Sequence, residues 1–177
     1  MYPEGTKYEG YVHEDHCNGW GRFVHRHGDV YEGEWFEDKA HGFGTFIHSN
    51  GIKYMGEWIN NLPNGHGVEE WPDGSKYEGT FINGIKQGNG KFVWACGNTY
   101  EGQWKANIMN GEGTYTWPNG NKYNGNWKDG KLMGKGEFNW GDGRSFTGEY
   151  KSDRKTNYGE YFWPDGRSFK GMWADGL

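Results

Sequence analysis

The residues best suited to bind a metal ion lie close together near the start of the chain. His13, His16 and Cys17 fall within five consecutive positions, and imidazole and thiolate are ligands that Zn²⁺ prefers. A closed zinc site needs four ligands, so a fourth would have to come from elsewhere, such as a second chain. We therefore expect no metal ion and no other cofactor, and keep these three residues as weak zinc candidates.

The chain has no set of residues that is typical of an enzyme active site. The adjacent carboxylates of Glu69 and Glu70 would point to opposite faces of a strand, so they cannot work as an acid–base pair. No serine or cysteine nucleophile is suggested beside a histidine base. The glycines are not followed by a helix that would complete a phosphate-binding loop. We expect no catalytic residues, no small-molecule substrate and no enzyme activity.

Basic residues are concentrated in the second half of the chain. Residues 1–88 carry 7 Lys and Arg against 14 Asp and Glu, whereas residues 89–177 carry 12 against 10. The net charge of −5 and the pI near 5.8 exclude a strongly basic nucleic-acid-binding protein. Near an anionic membrane each positive charge adds about 1 kcal/mol of attraction. The candidates for contact with anionic phospholipid are Lys128, Lys131, Lys151, Arg154 and Lys155.

Aromatic residues form the strongest candidate binding surface. The chain has 11 Trp, 12 Tyr and 10 Phe, although only 33% of it is hydrophobic and 33 residues are glycine. This composition suits a thin sheet with one face of rings better than a thick aliphatic core. A contiguous apolar stripe on a surface usually marks an interaction site. We expect a partner-binding groove lined by Trp35, Trp58, Trp71, Trp94, Trp104, Trp117, Trp127 and Trp140.

A 23-residue repeat must position these side chains. An aromatic residue recurs every 23 positions, and each is followed two residues later by glycine. The recurring residues are Tyr8, Tyr31, Tyr54, Tyr77, Tyr100, Tyr123, Phe146 and Phe169. Glycine recurs too often for helices, and the period-2 alternation of Tyr31–Trp35 predicts a strand. Each repeat is therefore predicted to be a β-hairpin, with a loop such as Lys39–Gly42 between its strands.

The predicted fold is all-β: a linear array of hairpins that forms a single-layer, twisted antiparallel sheet, with the form of a solenoid-like rod. Because side chains alternate between the faces of a strand, most aromatic residues and the glycines between them share one face. Glycine leaves room for a neighbouring ring to lie across the backbone. His25 and His48 occupy the column that holds Trp in later repeats, so we expect a weaker aromatic face near the N-terminus.

This pattern resembles the MORN (membrane occupation and recognition nexus) repeat over essentially the whole chain. The resemblance is carried best by Tyr31–Trp35 with His41–Gly44, and by Tyr100–Trp104 with Asn110–Gly113. We expect one domain, residues 1–177, with units that start at residues 8, 31, 54, 77, 100, 123 and 146. Residues 1–7 would be the tail of a preceding unit and residues 169–177 a partial unit.

The resemblance implies a non-catalytic scaffold for protein–protein interaction, in a cytoskeletal or ciliary assembly. The partner would be a helical or extended segment in the groove, or a second copy of the chain. Two alternatives stay open: a peripheral membrane module that uses the basic loops, and an accessory repeat region of a larger enzyme. No apolar run is long enough to span a membrane and no signal-peptide core follows Met1, so we expect a cytoplasmic location.

Overall fold

The computed structural model describes residues 5–174, and these residues form strands and turns without a helix. The strands are β1 (Lys7–His13), β2 (His16–Val24), β3 (Val30–Phe36), β4 (Lys39–Ile47), β5 (Lys53–Ile59), β6 (Leu62–Glu70), β7 (Lys76–Ile82), β8 (Ile85–Val93), β9 (Thr99–Lys105), β10 (Ile108–Thr116), β11 (Lys122–Lys128), β12 (Lys131–Asn139), β13 (Ser145–Lys151), β14 (Arg154–Phe162) and β15 (Ser168–Trp173). The described residues therefore include no helix able to cross a membrane. The predicted terminal units extend into residues 1–4 and 175–177, which lie outside the described residues.

The strands follow one another in the sheet in their sequence order, each antiparallel to its neighbours. By its contacts the chain divides into two compact units, residues 1–87 and 88–177, with the division inside β8. Each unit is a single layer of hairpins. The predicted all-β array of antiparallel hairpin repeats is therefore confirmed.

A two-residue turn closes each hairpin. Phe36 at the end of β3 pairs with Lys39 at the start of β4. The two residues between them, Glu37 and Asp38, have φ angles of 47° and 62°. Positive φ at both central positions is characteristic of type I′ turns, whose twist matches that of the flanking strands.

A β-bulge follows the turn. In β4 the three residues 41–43 face the single residue Glu34 of β3, and Gly42 supplies the positive φ, 68°, that the bulge requires. The carboxylate of Glu34 accepts a hydrogen bond from the N–H of Phe43 at 3.0 Å. The loop predicted at residues 39–42 is therefore wrong, because these residues belong to β4 and the chain reverses before them.

The core consists of rings that lie across paired glycines. Gly102 of β9 pairs with Gly113 of β10, and the ring of Tyr100 covers the pair so closely that a Cβ on Gly113 would lie 2.4 Å from the tyrosine hydroxyl. This hydroxyl donates a hydrogen bond to the carbonyl of Gln103 at 2.9 Å. Burial raises the pKa of Tyr100 to about 12, so the phenol stays a neutral donor. The fully buried rings at this repeat position are Tyr77, Tyr100, Tyr123 and Phe146.

Tryptophan from each following hairpin completes this packing. The ring of Trp127 in β11 meets Tyr100 edge-on, with centroids 5.4 Å apart and an interplanar angle of 82°. Trp104 of β9 contacts the same tyrosine at 5.2 Å and 86°. Edge-to-face pairs add about 0.5–1.5 kcal/mol each beyond the area that they bury. The rings therefore link successive hairpins as well as the strands within one hairpin.

Successive hairpins are also joined through their turns. The N–H of Asn61 donates to the carbonyl of Ala40 at 3.0 Å, and the side-chain oxygen of Asn61 accepts from the N–H of Ala40 at 2.8 Å. Asp153 makes the same two hydrogen bonds with Leu132, at 3.2 and 2.8 Å. The second turn residue thus holds its hairpin to the preceding one, which explains why Asp or Asn is frequent there.

We predict that Gly113→Ala lowers the free energy of unfolding by about 3 kcal/mol, because the new methyl group must displace a fully buried ring. Gly166→Ala is the control: an added Cβ there meets nothing within 4 Å, and only its φ of 88° is unfavourable, which costs about 1 kcal/mol. Urea unfolding followed by tryptophan fluorescence measures both. Equal losses for the two variants would show that the ring does not depend on the glycine.

Candidate functional site

Four of the eight tryptophans predicted to line a groove are held in the core. Trp58, Trp104 and Trp127 are buried, and Trp35 is half-buried. Each donates a hydrogen bond from Nε1 to the carbonyl of a glycine fourteen residues earlier, at 3.0–3.1 Å. Their polar atom and much of their ring are therefore used by the sheet itself.

The other four stand where one hairpin connects to the next. Trp71, Trp94, Trp117 and Trp140 are all half-buried. At Trp117 the backbone N–H donates to the carbonyl of Asn121 at 2.9 Å, and the carbonyl accepts from the N–H of Gly120 at 3.0 Å. The turn thus holds the backbone of the tryptophan on both sides, which keeps the ring on the aromatic face.

In the second unit these turn tryptophans belong to a continuous series of rings, the aromatic row. The row consists of Phe92, Trp94, Tyr115, Trp117, Phe138, Trp140, Tyr161 and Trp163. Within one repeat the centroids of Tyr115 and Trp117 are 4.5 Å apart, and Trp117 lies 5.3 Å from Phe138 of the next repeat. Alternating distances of 4.5–4.6 and 5.3–5.4 Å extend along the whole row. Apart from Tyr161, every ring of the row is half-buried.

The row presents hydrogen-bond donors as well as rings. Among the described residues no acceptor lies within hydrogen-bond distance of Nε1 of Trp94, Trp117, Trp140 or Trp163, whereas Nε1 of each core tryptophan is bonded to a glycine. An indole at an interface typically packs its ring and donates its N–H to the partner. The row therefore offers two rings and one N–H donor in each repeat.

Lys155 lies at the C-terminal part of the row. Its Nζ is 4.8–5.1 Å from the centroids of four rings, Trp140, Phe146, Tyr161 and Trp173. Burial, with a smaller contribution from the charge of Arg144, lowers the pKa of Lys155. A pocket of about 260 Å³ opens beside it, lined in part by Phe138 and Trp140 of the row.

Two arginines also border the row, but each is paired. Arg144 lies 5.4 Å from the centroid of Trp140 and 2.7 Å from a carboxylate oxygen of Asp142. Arg167 holds the same relation to Asp165, at 2.8 Å. No carboxylate lies within 4 Å of Nζ of Lys155 in the described part of the chain. The positive charge at this end of the row is therefore centred on Lys155.

In the first unit the same series is interrupted. His48 stands where later repeats have Trp, and Glu69 stands where they have Phe or Tyr. The carboxylate of Glu69 is 2.5 Å from Nζ of Lys86, and this ammonium also lies 4.9 Å from the ring centroid of Trp71. A pocket of about 320 Å³ opens at the interruption, with Pro63 at its wall. The weaker aromatic face expected near the N-terminus is therefore present, with an internal ion pair in it.

The basic residues predicted to contact lipid divide between the two faces. Lys128 pairs with Lys131 across one turn, and Lys151 with Arg154 across the next. All four are exposed and alternate with residues of the aromatic face, so they point away from it. Lys155 instead lies among the rings. Contact with lipid stays a prediction for Lys128, Lys131, Lys151 and Arg154. Lys155 lies on the opposite face of the sheet from these four residues.

The weak zinc candidates do not form a metal site. His13 and His16 are cross-strand neighbours, whereas Cys17 is buried on the other face. Nδ1 of His16 is 2.5 Å from one carboxylate oxygen of Asp38, and the other oxygen accepts from the N–H of Cys17 at 2.8 Å. No group of three or more His, Cys, Asp or Glu among the described residues is arranged to hold a metal ion.

Sequence reasoning missed five of the eight residues of the aromatic row. Trp163 lies 23 residues after Trp140, so the repeat itself was a sufficient signal for it. The row members Phe92, Tyr115 and Phe138 lie two residues before a turn tryptophan, hence on the same face. What the sequence does not contain is the difference between a bonded and an unbonded indole.

Comparison with known families and proteins gives one family. The model described as MORN repeat matches six consecutive segments, residues 31–53, 54–76, 77–99, 100–122, 123–143 and 146–166. No curated protein matches the sequence.

Several solved structures share the fold. The TCP domain of SAS-4 (dCPAP) of Drosophila melanogaster, in complex with a proline-rich motif of Ana2 (dSTIL), has a TM-score of 0.55 at 12% identity, over 88% of this chain and 85% of that one. The TCP10c domain of Drosophila melanogaster Sas-4 gives 0.52 at 12%, over 94% and 100%. The G-box domain of the microcephaly protein CPAP gives 0.51 at 12%, over 96% and 100%. At this identity the likeness is one of fold alone.

We predict that the two kinds of tryptophan respond differently to replacement by phenylalanine. Trp127→Phe removes the donor to the buried carbonyl of Gly113, and should lower the free energy of unfolding by about 1–3 kcal/mol. Trp117→Phe removes no such bond and should cost less than about 0.5 kcal/mol. Urea unfolding at pH 7 tests both; a larger loss for Trp117→Phe would contradict the division.

A second prediction concerns the ion pair between His16 and Asp38. The hydrogen bond to Asp38 raises the pKa of His16, and the same bond lowers the pKa of Asp38. The histidine's contribution to stability is present below its unfolded pKa and is lost as pH rises through the raised value. The aspartate's contribution is lost as pH falls through its lowered value.

The pair should therefore stabilise the fold most between the ordinary pKa values of aspartate and histidine, roughly pH 4 to 6.5. We expect the melting temperature of His16→Gln to fall below that of the native chain near pH 5.5, and to match it above about pH 8. His66→Gln, a change at another exposed histidine, serves as the control. A difference independent of pH would rule out the ion pair as its cause.

Proposed function

The chain belongs to the MORN-repeat family, and from that premise we propose that it is a non-catalytic scaffold that binds an extended or helical segment of a protein partner along the aromatic row. The observation that carries this proposal is that Trp94, Trp117, Trp140 and Trp163 are half-buried and have no acceptor for their indole N–H groups among the described residues. Rings and donors that the fold does not use for itself are typical of a protein-binding surface.

The structures of similar fold support a cytoskeletal location for this protein-binding function. One of them, the SAS-4 TCP domain, is a complex with a proline-rich motif of another protein. A second is described with a suggested role in centriole elongation. We accordingly propose a place in a cytoskeletal assembly, such as a centriole or cilium, with the chain in the cytoplasm.

A second candidate function rests on the exposed basic pairs. Lys128 faces Lys131 and Lys151 faces Arg154 across successive turns, and like charges directly opposite each other are unfavourable in a sheet. An anionic surface would relieve that repulsion, so binding to acidic phospholipid is the alternative. It uses the opposite face of the sheet from the aromatic row.

Two sets of substitutions separate the candidates. The row variant carries Trp117→Ala and Trp140→Ala; the tip variant carries Lys128→Gln, Lys131→Gln, Lys151→Gln and Arg154→Gln. We predict that the row variant loses at least tenfold of the partner crosslinks found by mass spectrometry in the native complex, because each ring supplies 1 kcal/mol or more at an interface. The tip variant should keep them.

Pelleting with vesicles of 30% phosphatidylserine measures the alternative. Salt-sensitive binding by the native chain that the tip variant loses, together with no protein crosslinks to the row, would overturn the scaffold proposal. Circular dichroism and the melting temperature show whether each variant is folded.

A further inference from the structure

The spacing of the aromatic row selects one backbone conformation for the bound segment. Each repeat contributes two strands about 4.7–4.9 Å apart, so successive turn tryptophans are about 9.4–9.8 Å apart. The ring distances are compatible with this interval: Trp94 lies 5.4 Å from Tyr115 and Tyr115 lies 4.5 Å from Trp117, so the centroids of the two tryptophans are no more than 9.9 Å apart. Four tryptophans from Trp94 to Trp163 therefore mark three equal intervals, about 29 Å in all.

A polyproline II helix has nearly the same period. It has three residues per turn and rises about 3.1 Å per residue, so the same face returns every 9.3 Å or so. Over three intervals the mismatch is only about 1 Å. One residue in three would meet a tryptophan in every repeat.

The other regular conformations do not match. A β-strand covers the interval in about three residues, but its side chains alternate, so every second contact would face away. An α-helix returns to the same face after seven residues and about 10.5 Å, so it drifts by roughly 3 Å over three intervals. The interval thus favours polyproline II over both.

The unbonded indole N–H groups can pair with the backbone carbonyl groups of a polyproline II helix. The carbonyl groups of a polyproline II helix make no internal hydrogen bond. Nε1 of Trp94, Trp117, Trp140 and Trp163 has no described acceptor, so each can donate to one carbonyl while its ring packs against proline.

Charge complementarity identifies a further requirement of the partner. Lys155 lies between Trp140 and Tyr161 of the row, at 4.8 and 5.1 Å from their centroids, beside an open pocket of about 260 Å³. Asp153 and Arg154 also line the pocket, and Oδ1 of Asp153 accepts the hydrogen bond of the Leu132 N–H. Arg144 is paired with Asp142. A carboxylate of the partner would meet the charge of Lys155 there.

We propose that the occupant of the aromatic row is a proline-rich segment in the polyproline II conformation, with proline at every third residue and an acidic residue that pairs with Lys155. This inference rests on the proposed scaffold function and names the chemistry of the partner segment.

The probe is a synthetic thirteen-residue peptide with four prolines spaced by three, and glutamate in its first and last intervals so that either chain direction brings a carboxylate to Lys155. The spacing control has the same composition with prolines four residues apart. Calorimetry should give at least tenfold tighter binding for the first peptide. In ¹H–¹⁵N spectra the indole signals of Trp94, Trp117, Trp140 and Trp163 should move, and those of Trp58, Trp104 and Trp127 should not.

Matched variants test the donor. Trp117→Phe keeps a ring but removes the N–H, and should weaken binding about fivefold. Trp127→Phe, which removes the N–H of a core tryptophan, should leave the affinity of the folded protein unchanged. An equal loss for the two would contradict the role of the row.

Lys155→Met tests the charge without loss of fold, because Met109 and Leu132 occupy the same repeat position. It should weaken binding of the glutamate peptide about tenfold. It should leave unchanged the binding of the peptide with glutamine in place of glutamate.

Equal binding of the two proline spacings, or shifts spread over all indoles, would overturn the inference. It would also be overturned by a native partner segment crosslinked to the row that lacks the three-residue proline period. That last result would leave the scaffold proposal intact, whereas the absence of any partner on the row would end both.

Discussion

The rest of this structure depends on one contact, in which an aromatic ring lies flat across two paired glycines. In the seventh repeat the ring is Phe146 instead of tyrosine, yet it is fully buried, and a Cβ on Gly159 would lie 2.4 Å from its Cζ. The hydroxyl and its hydrogen bond are thus dispensable, whereas the contact between ring and glycine is not. Because a single sheet has no second layer, this contact takes the place of a conventional core.

That constraint divides the tryptophans by position. A tryptophan in the first strand of a hairpin lies next to the tyrosine–glycine contact and reaches a glycine carbonyl, so its ring and its N–H are both used. The turn tryptophans of the second unit lie beyond the paired glycines, as at Trp117, and no acceptor among the described residues is within hydrogen-bond distance of Nε1 of Trp94, Trp117, Trp140 or Trp163. The same residue type on the same face therefore stabilises the sheet at one position and is available to a partner at the other.

The fold could be predicted because its signals are local and repeat without interruption. Period-2 alternation and the 23-residue spacing of Tyr31 and its equivalents are enough to assign strands, faces and order. The hairpin turn was misplaced because Glu37 and Asp38 adopt positive φ without a glycine to mark it, and Gly42 marks the bulge instead. Lys155 was grouped with Arg154 as a lipid contact because they are adjacent, although adjacency in a strand places them on opposite faces. The division of the tryptophans could not be predicted, since it depends on which carbonyl lies within 3.1 Å of an indole.

Lys86 and Lys155 occupy the same repeat position, three repeats apart, and their surroundings show how one scaffold yields two surfaces. Both ammonium groups lie about 5 Å from several rings. At Lys86 one aromatic position has become Glu69, whose carboxylate is 2.5 Å from the ammonium, so charge is balanced inside the sheet. At Lys155 the equivalent position is still aromatic, Phe138, and burial lowers the lysine pKa without a carboxylate to offset it. A single substitution in the ring column thus decides whether the charge is satisfied by the chain itself or remains available to a bound acidic group.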